Sequence, residues 1–229
     1  MKMAAEKKLT QEAIMSALDW SYDKAINGGI PGMDTALELA DSYLQKGGTL
    51  DEQAKSLIAW QNTKSATSGF LTGLGGVITL PVAIPANLTS VIFVQVRMVA
   101  AIAYMGGYDL KDDQVKSLVY VCLVGNGAKD ILKSAGIQIG KKLAVNGIKK
   151  IPFAVIKKIN QAVGFRLLTK FGHKGVINLG KMVPLAGGII GGTVDAFTTN
   201  VIGNVAYNLF IKESKNPYGD DPDIIDVMV

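Results

Sequence analysis

The chain has 229 residues and a mass of 24.3 kDa, with 48% hydrophobic and only 19% charged side chains, against about 25% charged in an ordinary globular domain. A mean hydropathy of +0.27 excludes intrinsic disorder, and a single cysteine excludes an internal disulfide scaffold. One histidine, one cysteine and a net charge of +5 leave little material for catalysis and point to partners that carry negative charge.

The N-terminus, MKMAAEKKLTQEAIMSALDW, is interrupted by Glu6, Lys7, Lys8 and Glu12. It therefore lacks the apolar core of about 7–15 residues that a secretory signal needs. Cys122 lies in the apolar run LVYVCLV and reads as a small buried hydrophobe. Both features lead to an expectation of cytoplasmic residence. Ile14, Ala17, Leu18, Ala25 and Ile26 recur at helical spacing, and Asn27-Gly28-Gly29 stops that first helix. Residues 33–46 predict a second helix, carrying Ala36, Leu37, Leu39, Ala40, Tyr43 and Leu44 and closed by Gly47-Gly48. Thr49-Leu50-Asp51-Glu52 is a capping box opening a third helix with Leu57, Ile58 and Trp60.

GFLTGLGGVITLPVAIP (69–85) follows, with Gly69 and Gly73 spaced for close helix contact. No G-x-x-x-x-G-K-[ST] accompanies it, so a phosphate loop is not indicated. Residues 86–105 show local alternation, but their length favours a helix, on which Asn87, Ser90, Arg97 and Tyr104 fall within about 100° of one another. Asp109 is placed to cap a helix from Leu110 onward, which accounts for Asp109, Asp112 and Asp113 without a metal. The last element, 183–210, pairs Gly187 with Gly191 and Gly188 with Gly192, and carries Asn200, Asn204 and Asn208 in an i, i+4, i+8 row.

Arg97 is the only charge between Lys64 and Asp109, and Asp195 the only one between Lys181 and Lys212. Both stretches reach the length of a membrane span, about 20 residues. A charge at mid-bilayer costs at least about 2.5–3.5 kcal/mol, and prolines and amides interrupt both stretches, so core helices are read ahead of spans. An unpaired buried charge is equally costly in a protein core, so Arg97 and Asp195 are expected to form a buried ion pair where their helices pack.

Charge is unevenly spread. Residues 1–110 hold 8 basic and 10 acidic side chains, residues 111–181 hold 14 and 3, and residues 182–229 hold 2 and 6. In the cationic middle, Lys141/Lys142, Lys149/Lys150 and Lys157/Lys158 recur every eight residues, followed by Arg166, Lys170 and Lys174. Gly147 and Pro152 divide this stretch into short helices. After Pro152, Val155, Ile156, Ile159, Val163 and Leu167 share one face, with Lys157, Lys158 and Gln161 opposite. Lysines beside bulky apolar residues are the pattern of an interfacial amphipathic helix; a solvated face of a soluble bundle is the plainer reading.

LIAWQ (57–61), SGFLTGLGGVITLPVAIPANLTS (68–90), QVRMVAAIAYMGGYD (95–109), VGFRLLTKFGHKGVINLGKMVP (163–184) and GGIIGGTVDAFTTNVIGNVAYNLF (187–210) together resemble the EcsC protein family. The resemblance covers most of residues 35–212 and joins unusual glycine, proline and tyrosine placements. It implies a helical fold and an association with membranes. The family takes its name from a gene beside those of an ABC transporter; no activity is established for it, and no catalytic residues carry over.

The residues themselves offer no enzyme. His173, flanked by Gly172 and Lys174, lacks a nucleophile partner; zinc needs clustered Cys and His; Asp195 has no acidic companion. Nucleic acid would call for aromatic platforms or a recognition motif; the cationic region offers only Phe153, Phe165 and Phe171, interleaved with aliphatics, and no recognition motif is visible. The expectation is an all-α helical bundle with two glycine-rich apolar helical hairpins. Residues 1–212 form its single domain and 213–229 an acidic, mobile tail. No metal, cofactor or small-molecule substrate is implied. The expected function is non-enzymatic: peripheral binding of anionic lipid at the inner face of the membrane. Lys141, Lys142, Lys149, Lys150, Lys157, Lys158, Arg166, Lys170 and Lys174 would meet headgroups, and Phe153, Ile156 and Phe165 would enter the interface. Two alternatives stand beside it: a membrane-inserting effector that self-associates through its glycines, and a soluble scaffold for an acidic protein.

Overall fold

The first three helices are each set by polar groups at their ends. In the computed structural model, which describes residues 9–66, 84, 86–137, 145–171 and 189–212, helix α1 spans Gln11–Asn27. The Thr10 hydroxyl accepts the Ala13 N–H at 3.2 Å. Gly28, at φ 77°, ends the helix and donates to the Lys24 carbonyl at 3.0 Å; a side chain at that φ would be strained. Helix α2 runs Ala36–Leu44, three residues later than its periodicity suggests. A capping box decides the start. The Thr35 N–H donates to Glu38 Oε2 at 2.7 Å, and the Glu38 N–H donates to Thr35 Oγ1 at 3.2 Å. The expected box before α3 (Leu50–Ala66) is present in the same form, with Thr49 N–H to Glu52 Oε2 at 2.8 Å and Glu52 N–H to Thr49 Oγ1 at 3.3 Å.

Helix α4 (Ala86–Met105) is the centre of the molecule. From Ile92 to Ala103 every residue is buried, including Gln95 and Arg97. A helix this apolar all round is stable only when enclosed, and α1, α2, α3, α5 and α8 enclose it. Helix α5 (Asp113–Leu123) leads through a 3-10 turn, Gly125–Gly127, into α6 (Ala128–Ser134). After a single turn at Val145–Ile148, Pro152 sets the start of α7 (Phe153–Phe171), its carbonyl accepting from the Val155 and Ile156 N–H groups at 2.9 and 3.1 Å. Helix α8 (Ile189–Phe210) closes the described chain. Among the described residues all regular structure is helical.

Asp109 does not cap a helix at Leu110. Its carboxylate instead accepts the Lys111 N–H at 2.9 Å, forming a turn that delays α5 to Asp113. Packing elsewhere is fixed by specific contacts. Helix α8 lies on α3 so closely that a Cβ at Gly203 would sit 2.8 Å from Ile58 Cγ2. The Tyr207 hydroxyl donates to Asp51, whose other oxygen pairs with Lys55 at 2.6 Å. On the far side, Tyr120 donates to Asp19 Oδ1 at 2.9 Å, where Lys116 Nζ also stands at 2.6 Å. Cys122 is fully buried, and burial pushes its thiol pKa up, as befits an inert core residue. Gly69, Gly73, Gly187 and Gly188, and the whole segment 213–229, lie outside the described residues. Gly191 and Gly192 fall within α8, but what surrounds them also lies outside what is described.

Candidate functional site

Helix α7 has two faces, and the split follows from its sequence. Ile156, Ile159, Val163 and Leu167, each within 3% of full burial, join the core against α1, α5 and α6. The Gln11 side-chain amide donates to the Gln161 carbonyl at 3.1 Å and pins α7 to α1. The outward face holds Phe153, Ala154, Lys157, Lys158, Gln161, Phe165 and Thr169, an arc of about 160° at 100° per residue.

Phe153 is 73% exposed and Phe165 59% exposed. A phenylalanine ring gains about 1.5–3 kcal/mol on burial, so two rings held in water on one helix leave that gain unused. They flank lysines. Lys149 and Lys150 stand exposed in the turn before the helix, Lys157 and Lys158 on it, and Arg166 and Lys170 towards its end. Two of these cations already face carboxylates: Lys149 lies 3.7 Å from Asp112 and Arg166 4.0 Å from Asp130. Among the described residues no acidic oxygen lies within 4.0 Å of Lys150, Lys157 or Lys158. Lys170 Nζ lies 5.3 Å from the Phe171 ring centroid. Lys141, Lys142 and Lys174 lie outside the described residues.

Ile156 belongs to the core, at 3% exposure, and not to the outward face with Phe153 and Phe165. The reason is angular. It sits three positions after Phe153, beside Ile159 and Val163 on the inward stripe.

Arg97 is 5% exposed, and its Nη1 donates to the main-chain carbonyl of Asp34 at 3.0 Å. Burial lowers its pKa, and the nearby Asp34 carboxylate opposes that shift. The helices bearing Arg97 and Asp195 pack together, but the Asp195 side chain lies outside the described residues. Sequence periodicity did not anticipate Asp34 as a neighbour, because the contact spans 63 positions. Among the described residues no group of three or more His, Cys, Asp or Glu side chains converges as metal ligands would.

The family model of the EcsC protein family matches residues 8–212. The chain belongs to that family. The match takes in every described helix, so α7 and the Arg97 region are both part of the family's domain. No curated protein and no solved structure matches this EcsC-family protein.

Proposed function

We propose that this EcsC-family protein binds anionic lipid at the cytoplasmic face of a membrane, through the outward face of α7 and without catalysing a reaction. The observation that carries the reading is the exposure of Phe153 and Phe165, at 73% and 59%, around lysines that lack acidic partners among the described residues. Each lysine near a charged bilayer adds about 1 kcal/mol, and aromatic rings at headgroup depth add apolar burial. Lys149 and Arg166 contribute less than Lys150, Lys157 and Lys158, since Asp112 and Asp130 already face them.

Insertion is the weaker reading. Leu88–Met105 is long and apolar enough to cross a membrane, at a mean hydropathy of 1.7, but 83% of that window is buried in the protein. A buried core helix meets the same length and composition test.

Flotation separates the readings. The protein is expected to rise with phosphatidylglycerol vesicles at low salt, to stay behind with phosphatidylcholine vesicles, and to be released as salt shortens the screening length to about 8 Å near physiological ionic strength. Vesicle-entrapped dye is expected to remain inside. Failure to float with anionic vesicles at low salt overturns the proposal, and dye release replaces docking by insertion.

A further inference from the structure

A second feature lies away from α7. The loop between α1 and α2 meets helices α2, α3 and α4 around an open pocket of about 610 Å³, within the usual range for small-molecule sites, about 300–1,000 Å³. Asp34, Tyr43, Lys46, Ser56, Trp60 and Arg97 are among its lining residues.

Arg97 gives the pocket its chemistry. It is the only charged residue of a 20-residue helix, and 95% of its surface is buried, as its 5% exposure shows. One guanidinium N–H is spent on the Asp34 carbonyl, while the buried Nε has no hydrogen-bond partner among the described residues. A neutral amide side chain could serve a single carbonyl without the desolvation cost of a charge, and the Asp34 carboxylate, though near enough to act on Arg97, forms no ion pair with it within 4.0 Å. An arginine at this position is better explained by a planar donor fork that meets an oxyanion. Lys46 adds a second cation to the lining, its Nζ held 3.6 Å from the Tyr43 ring centroid. Among the described lining residues Asp34 is the one acidic side chain and lies at the surface, so their ionisable side chains sum to one positive charge. Trp60, 49% exposed, offers an aromatic face beside them.

We infer that this pocket binds a small molecule through a carboxylate or phosphate group set against Arg97 and Lys46. The inference is independent of the lipid reading: α7 packs on α1, α5 and α6, whereas α2, α3 and α4 build the pocket.

The test uses the full chain with inorganic phosphate, glycerol phosphate and succinate as probes, followed by thermal shift and titration calorimetry. At least one of the three is expected to bind saturably and raise the melting temperature. Arg97→Gln is expected to weaken that binding about tenfold or more, as for a lost charged hydrogen bond. Ser56→Trp, at an exposed lining position, is expected to do the same by filling the pocket while leaving Arg97 itself unaltered; it decides the matter if Arg97→Gln fails to fold. No saturable binding of any probe overturns the inference. So does undiminished binding in Ser56→Trp, because the anion then sits elsewhere. Flotation of Arg97→Gln with phosphatidylglycerol vesicles identifies the source. Normal flotation with lost glycerol phosphate binding assigns a dissolved ligand, and loss of both assigns a lipid headgroup at Arg97.

Discussion

Replacing Phe153 and Phe165 together by serine isolates the apolar part of the proposed membrane contact. The two rings are 73% and 59% exposed, so about two-thirds of each ring's burial gain, about 1.5–3 kcal/mol, is still available. Together that amounts to about 2–4 kcal/mol, and half of it, about 1–2 kcal/mol, for rings that immerse only partway. Partitioning onto phosphatidylglycerol vesicles is therefore expected to fall about five- to thirtyfold. Folding stability is expected to change by no more than about 0.5 kcal/mol, since neither ring supports the core. Vesicle sedimentation over a lipid series measures the first quantity, and urea unfolding the second. Unchanged partitioning refutes the reasoning. A large loss of stability refutes it differently, by showing that the rings are structural.

Four further outcomes follow. Ile156→Ala is expected to cost about 2–5 kcal/mol in urea unfolding, in contrast to Phe153→Ala, because Ile156 faces the core. Gly203→Val is expected to destabilise by about 1–3 kcal/mol or more, as its Cβ alone would crowd Ile58 at 2.8 Å; an unchanged melting temperature would show that α3 and α8 can part without cost. Lys150→Gln, Lys157→Gln and Lys158→Gln combined are expected to lower vesicle binding at low salt by about 3 kcal/mol. Lys149→Gln alone should lower it by less than a third of that, given Asp112. Acid is expected to unfold the protein in part through Glu38 and Glu52, whose carboxyls are held below the usual value of 4.5 chiefly by backbone N–H groups of Thr35 and Thr49. Depressed folded values mean that this stabilisation is present above the unfolded value and lost as pH falls through the folded one. The double change to Gln should flatten that part of the pH–stability curve.

Signals confined to a few neighbouring residues were legible in the sequence. The Asn27-Gly28-Gly29 stop, the Thr49–Glu52 box and the break at Pro152 all appear in the structure, because each works within a single turn. Thr35–Glu38 has the same signature, but apolar periodicity from residue 33 obscured it. Asp109 shows the limit of local reasoning. A capping residue and a turn residue look alike until the backbone direction is known, and here the carboxylate reaches its own neighbour two residues on. Side-chain depth was legible where periodicity was regular, as along Ile156, Ile159, Val163 and Leu167; placing Ile156 at the membrane interface with Phe153 and Phe165 conflicted with that stripe, and the structure keeps it in the core. The pairings of Lys149 with Asp112 and of Arg166 with Asp130, and the pocket around Arg97, depend on residues far apart in the chain. Periodicity carries no information about them.

Helix α4 has a kinetic consequence. Its most apolar stretch is sheathed by five other helices, so it cannot be released by the swing of one hinge. Any passage of that stretch into a bilayer would first have to dismantle the domain, with the steep activation enthalpy of global denaturation. Heating would then accelerate such a passage several-fold per ten degrees, and substitutions that tighten the core would retard it.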